Sequence, residues 1–287
     1  QNKLQSGGTN KYAYVALLMC NSPYIFGALV LGISLKKTNT NNDIVIMVTS
    51  DVPEIQKEKL KQIYDFVIDI EFITVNKTLI KDYETNRFKD IFTKLQCLTL
   101  TQYEKIIMLD IDMLVIKNMD HLFELDVPAA CLRREDYPHN KKISKELIIK
   151  NNKLIGGINA GLMLLEPNKD EYDRIINDLI NLKDTEFINP EQDYLSKRYV
   201  SKWTNISFLY NFQFGLSKRA NKYNPDEVFN IHYSSRLKPW RILSKPEETW
   251  SWINENPQQV PYYKLWLQYY EEIKKTYNLD LMHIVDS

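Results

Sequence analysis

The sequence is poor in glycine and cysteine and has no excess of charge of either sign, and these shortages exclude several classes of protein. Its 37 basic and 37 acidic side chains cancel to a net charge of +0, so the basic surface typical of nucleic-acid-binding proteins is not expected. A hydrophobic content of 44% against 26% charged is that of a globular chain rather than a disordered one. No apolar run approaches the roughly 18 residues that indicate a membrane span. We therefore expect a globular protein with no nucleic-acid partner and no membrane span.

The cysteines indicate the cellular compartment of the protein, and residues 1–10 show the character of its N-terminus. Cys20, Cys97 and Cys131 are an odd number without a CxxC pair, which favours neither a zinc site nor a disulfide framework. We interpret them as buried thiols in a reducing compartment, which predicts a cytoplasmic protein, of a cell or of a host cell if the chain is viral. Residues 1–10 are polar, lack the pattern of a signal peptide and are expected to be a flexible end.

Apolar runs of strand length alternate with helical segments, which predicts an α/β protein whose first strands pair in parallel. Ser22 and Pro23 are expected to start the first helix as its N-cap and first residue, and an aromatic-rich helix is expected over 261–277. With no repeats and no Gly/Ser-rich linker, residues 11–287 are predicted to form a single domain. The predicted strands cover residues 12–20, 43–49, 66–73, 105–109, 127–132, 157–165, 206–210 and 228–232.

Two carboxylates follow one of these strands. Asp110, Ile111 and Asp112 come directly after the apolar segment KIIML, which places both carboxylates on the same face of the chain at the carboxyl end of a buried strand. Ligands bind at this edge of open α/β sheets. Two like charges held together repel and are costly to desolvate, and a shared cation would offset both effects. This context favours a metal site over a loop-capping role, which short acidic triplets also fill.

Small and polar residues surround a later strand. Three of the eight glycines fall within Gly156 to Gly161, where they would allow a ligand to approach closely or would form a bulged strand bend. Asn159 in this segment suits sugar hydroxyls, or it serves the turn. His232 ends another apolar strand, where a single histidine is more often structural than a ligand.

Six stretches of the chain, taken together, carry a more specific pattern. They are NSPYIFGALVLGISLK (21–36), FTKLQCLTLTQYEKIIMLDIDMLVIKNMDHLFEL (92–125), GINAGLMLLEPN (157–168), PEQDYL (190–195), FLYN (208–211) and HYSSRLKPW (232–240). In this order they resemble the glycogenin-like branch of glycosyltransferase family 8, whose members are retaining enzymes of the GT-A fold. The resemblance implies a Rossmann-like, mixed and mostly parallel sheet flanked by helices, followed by a helical, aromatic-rich C-terminal segment.

The resemblance implies a metal site and a donor. Asp110, Asp112 and His232 would bind a divalent ion, usually Mn²⁺ and otherwise Mg²⁺, that bridges the diphosphate of a UDP-sugar, and Lys238 would contact the same diphosphate. Two carboxylates and an imidazole suit an octahedral ion of this kind. The expected donor is UDP-glucose, although relatives use glucose, galactose, xylose or glucuronic acid. The acceptor is a hydroxyl of an unidentified glycan, protein or small molecule, and a homodimer is the expected assembly.

The resemblance assigns further residues to the donor. Leu17, Asn21 and Tyr24 match positions around the uracil, and Lys94 matches a sugar-contacting lysine, with Arg87 as a second basic contact. The other residues expected to bind the donor are Ile111, Asn159, Ala160, Gly161 and Gln192.

Retention, which the resemblance also implies, needs the acceptor to attack from the face that the phosphate leaves. The departing phosphate oxygen can then take the acceptor proton, while the metal and Lys238 stabilise the leaving group. A double displacement, ranked second, would need a nucleophile, for which Glu191 and Asp193 are the candidates. Lys238, Gln192, Glu191 and Asp193 are therefore the expected catalytic residues.

Two features depart from the family pattern. Glycogenin glucosylates its own tyrosine a few residues beyond the motif matched by FLYN. That position falls here at about Lys218, and the nearest tyrosine, Tyr223, does not match, so self-glucosylation at the usual site is not expected. The extra residues from Arg133 to Lys153 either shape the choice of acceptor or form a surface loop.

Two other functions stay open. A nucleotidyltransferase also holds a metal and a diphosphate with paired carboxylates, but such enzymes usually have a Gly-rich phosphate loop near the first strand, and LLMCNSPY has none. The other is a non-catalytic scaffold that binds a UDP-sugar. The presence of both aspartates, His232 and Lys238 together favours an enzyme.

Overall fold

The structure is a computed structural model that describes residues 10–75, 90–133, 137–154, 157–182, 187, 189–214 and 225–277. The strands are β1 Tyr12–Leu18, β2 Asp43–Thr49, β3 Phe66–Ile70, β4 Lys105–Leu109, β5 Met113–Val115, β6 Ala129–Leu132, β7 Ile158–Leu165, β8 Thr204–Asn205 and β9 Asn230–His232. Seven of them form one mixed, mostly parallel sheet in the order β3-β2-β1-β4-β7-β6-β8, and β5 pairs with β9 in a second sheet. The mixed, mostly parallel α/β sheet expected from the sequence is confirmed.

Helices flank this sheet and differ in how much of their surface is buried. They are α1 Tyr24–Lys37, α2 Glu54–Lys61, α3 Lys145–Leu154, α4 Lys169–Asn181, α5 Pro190–Arg198, α6 Arg241–Ser244, α7 Pro246–Asn254 and α8 Val260–Tyr277. Helix α1 is apolar on all sides and is buried without interruption from Ile25 to Leu35, which is typical of a helix enclosed by its own protein. Among the described residues, no helix has both the length and the apolar character needed to cross a bilayer.

The chain forms two compact units, each assembled from segments that are far apart in sequence. The described residues of the first unit fall within 1–15, 69–109 and 121–208, and those of the second fall within 16–68, 110–120 and 209–287. In the first unit, β7 pairs antiparallel with both β4 and β6. In the second unit, α1 packs against α8 and against β5, and β5 pairs antiparallel with β9.

Helices α4 and α1 begin in different ways. Helix α4 begins with a side-chain cap, because Asn168 Oδ1 accepts a hydrogen bond from the Glu171 amide at 2.8 Å. Helix α1 differs from the expectation, since it begins at Tyr24 with Pro23 as its N-cap and no side-chain cap. The Ser22 carbonyl, not its hydroxyl, accepts from the Ile25 amide at 3.2 Å. The helical φ and ψ of Pro23 explain this, because they bring the preceding carbonyl into the first turn.

The strand expected over residues 206–210 is wrong. Strand β8 ends at Asn205, and residues Phe208–Tyr210 form a 3-10 turn. Pairing with β6 stops after the Ile206 amide donates to the Ala130 carbonyl at 2.9 Å. The apolar side chains of Ile206, Phe208 and Tyr210 are still buried, and that of Leu209 is half-buried. An apolar run therefore predicted burial correctly and strand geometry incorrectly.

The cysteines also depart from the expectation. Cys97 and Cys131 are buried thiols, but Cys20 is exposed. Burial raises the pKa of the Cys97 thiol to about 12, which keeps it protonated and unreactive. Cys20 lies just after β1, in the turn that leads to α1, and has a positive φ of 66°.

Candidate active site

Asp110 and Asp112 are the two carboxylates of the segment Asp110-Ile111-Asp112, which we call the DxD segment. They lie in the second unit, directly after strand β4 as the sequence predicted. Strand β4 ends at Leu109, and Asp110 to Asp112 connect it to β5. In the β5–β9 pair, Met113 lies opposite His232, which places Asp112 beside the histidine. The Tyr233 amide donates to the backbone carbonyl of Asp112 at 2.8 Å and extends this pairing by one residue. The backbone register alone therefore brings these side chains together.

The side chains of Asp110, Asp112 and His232 converge, with one ligand atom of each lying within 4.8 Å of the others. His232 Nε2 is 3.2 Å from Asp112 Oδ1 and 4.0 Å from Asp110 Oδ2. The Asp110 side chain is 32% exposed, whereas those of Asp112 and His232 are at most 10% exposed. Two carboxylate oxygens and one imidazole nitrogen, open to solvent on the Asp110 side, form a donor set that fits Mn²⁺ or Mg²⁺.

Lys238 completes what we call the cation cluster, which consists of Asp110, Asp112, His232 and Lys238. The Lys238 ammonium lies 2.5 Å from Asp112 Oδ2 and 2.8 Å from the Tyr233 carbonyl oxygen, and its side chain is 12% exposed. With the histidine neutral, the cluster holds two negative charges and one positive charge. It therefore keeps an excess negative charge at a partly buried place, which a divalent cation would neutralise.

The electrostatics of Asp112 follow from these neighbours. Burial would raise the pKa of the Asp112 carboxyl, but its contacts with His232 and with the Lys238 ammonium outweigh burial and hold this pKa well below its usual value. Asp112 is thus a carboxylate at any physiological pH and is available as an anionic ligand.

A close packing contact fixes the turn between the two aspartates. A Cβ atom on Gly27 of α1 would lie 2.6 Å from the Ile111 carbonyl oxygen and 2.6 Å from the Trp240 ring. Only a glycine allows α1 to approach both groups this closely. Trp240 also packs edge-to-face against Tyr24, with 4.8 Å between the ring centroids. Gly27 lies within a matched stretch, but its spacing alone does not indicate this role.

The three residues expected around the uracil lie in the second unit, at the end of β1 and the start of α1. Leu17 is buried, whereas Tyr24 is 38% exposed. Asn21 Oδ1 accepts a hydrogen bond from Gln56 Nε2 at 2.7 Å, which fixes the loop between β1 and α1. The same loop is held by Asp51, whose Oδ1 accepts from the Cys20 amide at 3.2 Å.

A second group of predicted residues lies in the first unit and contains a buried ion pair. Lys94 Nζ is 3.5 Å from Glu191 Oε1, and the two side chains are only 4% and 8% exposed. Lys94 comes from the 3-10 helix Ile91–Thr99, and Glu191 comes from the first turn of α5. We call these two residues the buried pair.

The neighbouring polar residues of this unit bind backbone. Gln192 Oε1 accepts from the Ala160 amide at 3.0 Å, which connects α5 to β7. Asn159 Oδ1 accepts from the Gly161 amide at 2.9 Å within β7. Both side chains therefore have their oxygen atoms fixed by the protein, and their amide groups are oriented as a consequence.

Asp193 has a capping role at the start of α5. Its Oδ2 accepts from the Asn189 amide at 2.9 Å, the arrangement of a carboxylate that satisfies a free amide at a helix N-terminus. Of the predicted residues, Arg87, Lys218 and Tyr223 lie outside the described residues, as does part of the Arg133–Lys153 insertion.

Known proteins resemble this chain in sequence. It is 47% identical over 277 residues to protein R707 of Acanthamoeba polyphaga mimivirus, covering 94% of this chain and 97% of the relative. It is 28% identical to Galactinol synthase 1 of Solanum lycopersicum, over 82% of this chain and 76% of the relative. It is 27% identical to Glycogenin-1 of Homo sapiens, over 80% of this chain and 63% of the relative.

A solved structure shows the same fold, and a family model identifies the chain. The glycosyltransferase GlyE of Streptococcus pneumoniae TIGR4 superposes with a TM-score of 0.57 at 18% identity, over 96% of this chain and 63% of that one. The fold is the expected GT-A fold. The model of glycosyl transferase family 8 matches residues 15–243. With that match extending from β1 through the cation cluster to Trp240, the chain belongs to glycosyl transferase family 8 and is a glycosyltransferase.

Proposed function

We propose that this glycosyltransferase moves glucose from UDP-glucose to a hydroxyl acceptor, with retention of configuration and with Mn²⁺ or Mg²⁺ bound by Asp110, Asp112 and His232. The observation that carries the proposal is the convergence of these three side chains within 4.8 Å. Family membership supports the UDP-sugar donor and the divalent metal. When bound, the ion supplies fixed positive charge for the diphosphate leaving group.

Lys238 would provide the protein's own positive charge for the leaving group. Its amine rests on Asp112 Oδ2 and on the Tyr233 carbonyl, so it is already desolvated and held beside one metal ligand. Pro239 follows directly and restricts the backbone of Lys238 to extended conformations. A preorganised amine of this kind stabilises developing charge without reorganisation during the reaction.

A separate set of predicted residues would act on the sugar. In the proposed mechanism, Lys94, Asn159 and Gln192 bind donor hydroxyls, and the departing phosphate oxygen takes the acceptor proton. The contacts of the two acidic residues favour this front-face route over a double displacement. Glu191 is paired with Lys94, and Asp193 caps α5, so neither carboxylate is in an environment that would activate it as a nucleophile.

The uracil would be bound by Leu17, Asn21 and Tyr24, with Arg87 as a further basic contact to the donor, and Ile111, Ala160 and Gly161 would contribute backbone contacts. The proposal does not include self-glucosylation at the tyrosine that glycogenin uses, because that position falls at about Lys218 in this sequence. We also propose a cytoplasmic, reducing compartment, on the ground of the odd number of cysteines without a CxxC pair. A homodimer and a single catalytic domain over 11–287 remain predictions.

Donor identity can be tested by thermal shift together with UDP release. UDP-glucose, UDP-galactose, UDP-xylose and UDP-glucuronic acid are each added with Mn²⁺ at equal concentration. A donor at 100 times its dissociation constant stabilises the fold by about 2.7 kcal/mol, so the ranking of the shifts identifies the sugar. UDP release in the same samples measures slow hydrolysis. UDP-glucose is expected to give the largest shift and measurable UDP.

The same experiment separates the alternatives. Stabilisation by a UDP-sugar without UDP release, with or without candidate acceptors, would indicate a non-catalytic scaffold. Release of pyrophosphate from a nucleoside triphosphate and a sugar phosphate, with no effect of UDP-sugars, would indicate a nucleotidyltransferase. Full activity in excess EDTA would contradict the metal assignment.

A further inference from the structure

The imidazole of His232 is held on the side that faces away from the carboxylates. Its Nδ1 lies 2.7 Å from Oδ1 of Asn211, and both residues are buried, with 4% and 1% of their surface exposed. The opposite ring nitrogen, Nε2, faces Asp112 at 3.2 Å and Asp110 at 4.0 Å. The ring therefore lies between an amide on one side and two carboxylates on the other.

The chemistry of the amide oxygen determines where the proton of the neutral ring lies. An amide oxygen only accepts hydrogen bonds, so the contact requires a proton on Nδ1. The neutral imidazole then has its lone pair on Nε2, the nitrogen that faces the carboxylates. A bare lone pair beside two carboxylates is repulsive in the absence of a cation and is what a metal ligand must present.

The backbone keeps Asn211 in this place. The Phe212 amide donates to the Asn230 carbonyl at 3.0 Å, and the His232 amide donates to the Phe212 carbonyl at 2.9 Å. Phe212 thus forms a parallel bridge with Ile231 of β9. The residue before this bridge is Asn211, so the backbone bridge and the side-chain hydrogen bond fix the same register between the two segments.

We propose that Asn211 is a positioning residue that fixes the tautomer and orientation of His232 and leaves Nε2 ready for the cation. The inference rests on the proposed metal site, but the tautomer can be measured without any metal. Loss of a hydrogen-bond partner behind a metal-binding histidine weakens metal affinity about 10- to 100-fold, and we expect that loss here.

The test uses the metal-free full chain labelled with ¹⁵N-histidine, together with one variant for signal assignment and three variants for comparison. The chain has only four histidines, and the signals of His232 are identified by their loss in His232→Gln. The variants are Asn211→Leu, which removes the acceptor, Asn211→Asp, which keeps an acceptor at the same place, and Asn230→Leu as the control. Asn230 is a fully buried asparagine on β9 whose side-chain amide donates to the Tyr210 carbonyl at 3.0 Å, not to the histidine.

In the unmodified metal-free chain, the contact with Asn211 Oδ1 leads us to expect a proton on Nδ1, whatever the state of Nε2. Asn211→Leu should lose this pattern and bind Mn²⁺, titrated in the presence of UDP, about 10- to 100-fold more weakly. Asn211→Asp should keep the pattern and bind Mn²⁺ at least as tightly as the unmodified chain. Asn230→Leu should lose stability but keep both the tautomer and the Mn²⁺ affinity.

Three results would overturn the inference. The first is an Nδ1 that carries no proton in the unmodified chain, a measurement that does not depend on any variant folding. The second is an Asn211→Leu variant with unchanged tautomer and unchanged Mn²⁺ affinity. The third is an Asn211→Asp variant that binds Mn²⁺ more weakly. If the unmodified chain shows the expected tautomer but binds no Mn²⁺, the proposed metal site fails while the positioning of His232 by Asn211 stands.

Discussion

The cation cluster of the second unit and the buried pair of the first unit both place charged side chains out of water, but their charges are balanced differently. Lys94 and Glu191 bring one charge of each sign. The cation cluster brings two carboxylates and one ammonium around a histidine. Burying charge is costly unless it is paired. The cation cluster has a net negative charge that a further cation would neutralise, whereas the buried pair has no net charge.

The difference in net charge matches the ligands proposed for the cation cluster and for the buried pair. A divalent cation and a diphosphate are strongly charged, and a site with excess negative charge binds the first and through it the second. A sugar is neutral, and a balanced pair can direct hydrogen bonds toward it without a net field. We expect changes in the cation cluster to reduce turnover, and we expect changes in the buried pair to reduce the stability of the fold as well.

The largest effect is expected for Asp112→Asn, which removes the excess charge of the cluster. Turnover should fall to background, because an amide is a poor ligand for Mn²⁺ and leaves only one carboxylate. The fold should survive, since the new side chain still offers an oxygen to the Lys238 amine at the distance now seen for Asp112. UDP release and circular dichroism measure the two properties. Turnover within tenfold of the unmodified chain would contradict the metal assignment.

The next largest effect concerns the stability of the buried pair. Lys94→Met leaves Glu191 buried without its partner and should lower the free energy of unfolding by about 3–5 kcal/mol. The double variant Lys94→Met/Glu191→Gln should recover part of this loss. Urea unfolding at pH 7 measures both. The control is Lys169→Met, which breaks an exposed pair with Asp173 and should cost less than about 1 kcal/mol. Equal losses for Lys94→Met and the control would show that the buried pair is not a stabilising element.

Lys238→Ala tests whether the charge of Lys238 stabilises the leaving group in the transition state or only strengthens donor binding. We expect kcat to fall about 10²- to 10³-fold, the loss typical of one preorganised group, with a smaller effect on KM because the metal ligands remain. Steady-state kinetics with UDP-glucose and Mn²⁺ measure both constants. An unchanged kcat with a raised KM would mean that Lys238 contributes only uniform binding.

The smallest effect is expected for a pair of glycine variants on α1. A Cβ on Gly27 would contact the Ile111 carbonyl and Trp240, whereas a Cβ on Gly32 would lie 2.6 Å from Ile63 on the side of α2. Gly27→Ala and Gly32→Ala should each cost about 1–3 kcal/mol of stability. Only Gly27→Ala should also weaken Mn²⁺ binding, because only it displaces the turn between the aspartates. Similar Mn²⁺ affinities in both variants would contradict this.

Sequence reasoning located the DxD carboxylates because their position depends only on the end of one apolar strand, β4. His232 came from the resemblance, since the contact between residues 112 and 232 depends on pairing between β5 and β9. Each of those strands has only three residues, too few for a periodic pattern. Asn211 was part of a matched stretch, but its role depends on a side-chain hydrogen bond that no spacing reveals.

The errors have a similar cause. The strand expected over residues 206–210 failed because burial and strand geometry are separate properties, and apolar residues reported only the first. Cys20 is exposed in a turn where its φ is positive, and neither property is specified by a cysteine in the sequence. The N-cap expected at Ser22 failed because Pro23 itself begins the helical turn.

The pairing of β5 with β9 also sets a time for the assembly of the site. Lys238 and Asp112 are 126 residues apart in the chain, so a ribosome that adds about 5–20 residues per second takes about 6–25 s to synthesise the second after the first. During that interval the aspartates exist without their histidine and lysine partners, and closing so long a loop must precede the site. Cations in the cell would therefore stabilise the finished protein and not the nascent chain, so metal occupancy would report that synthesis and folding of the C-terminal third are complete.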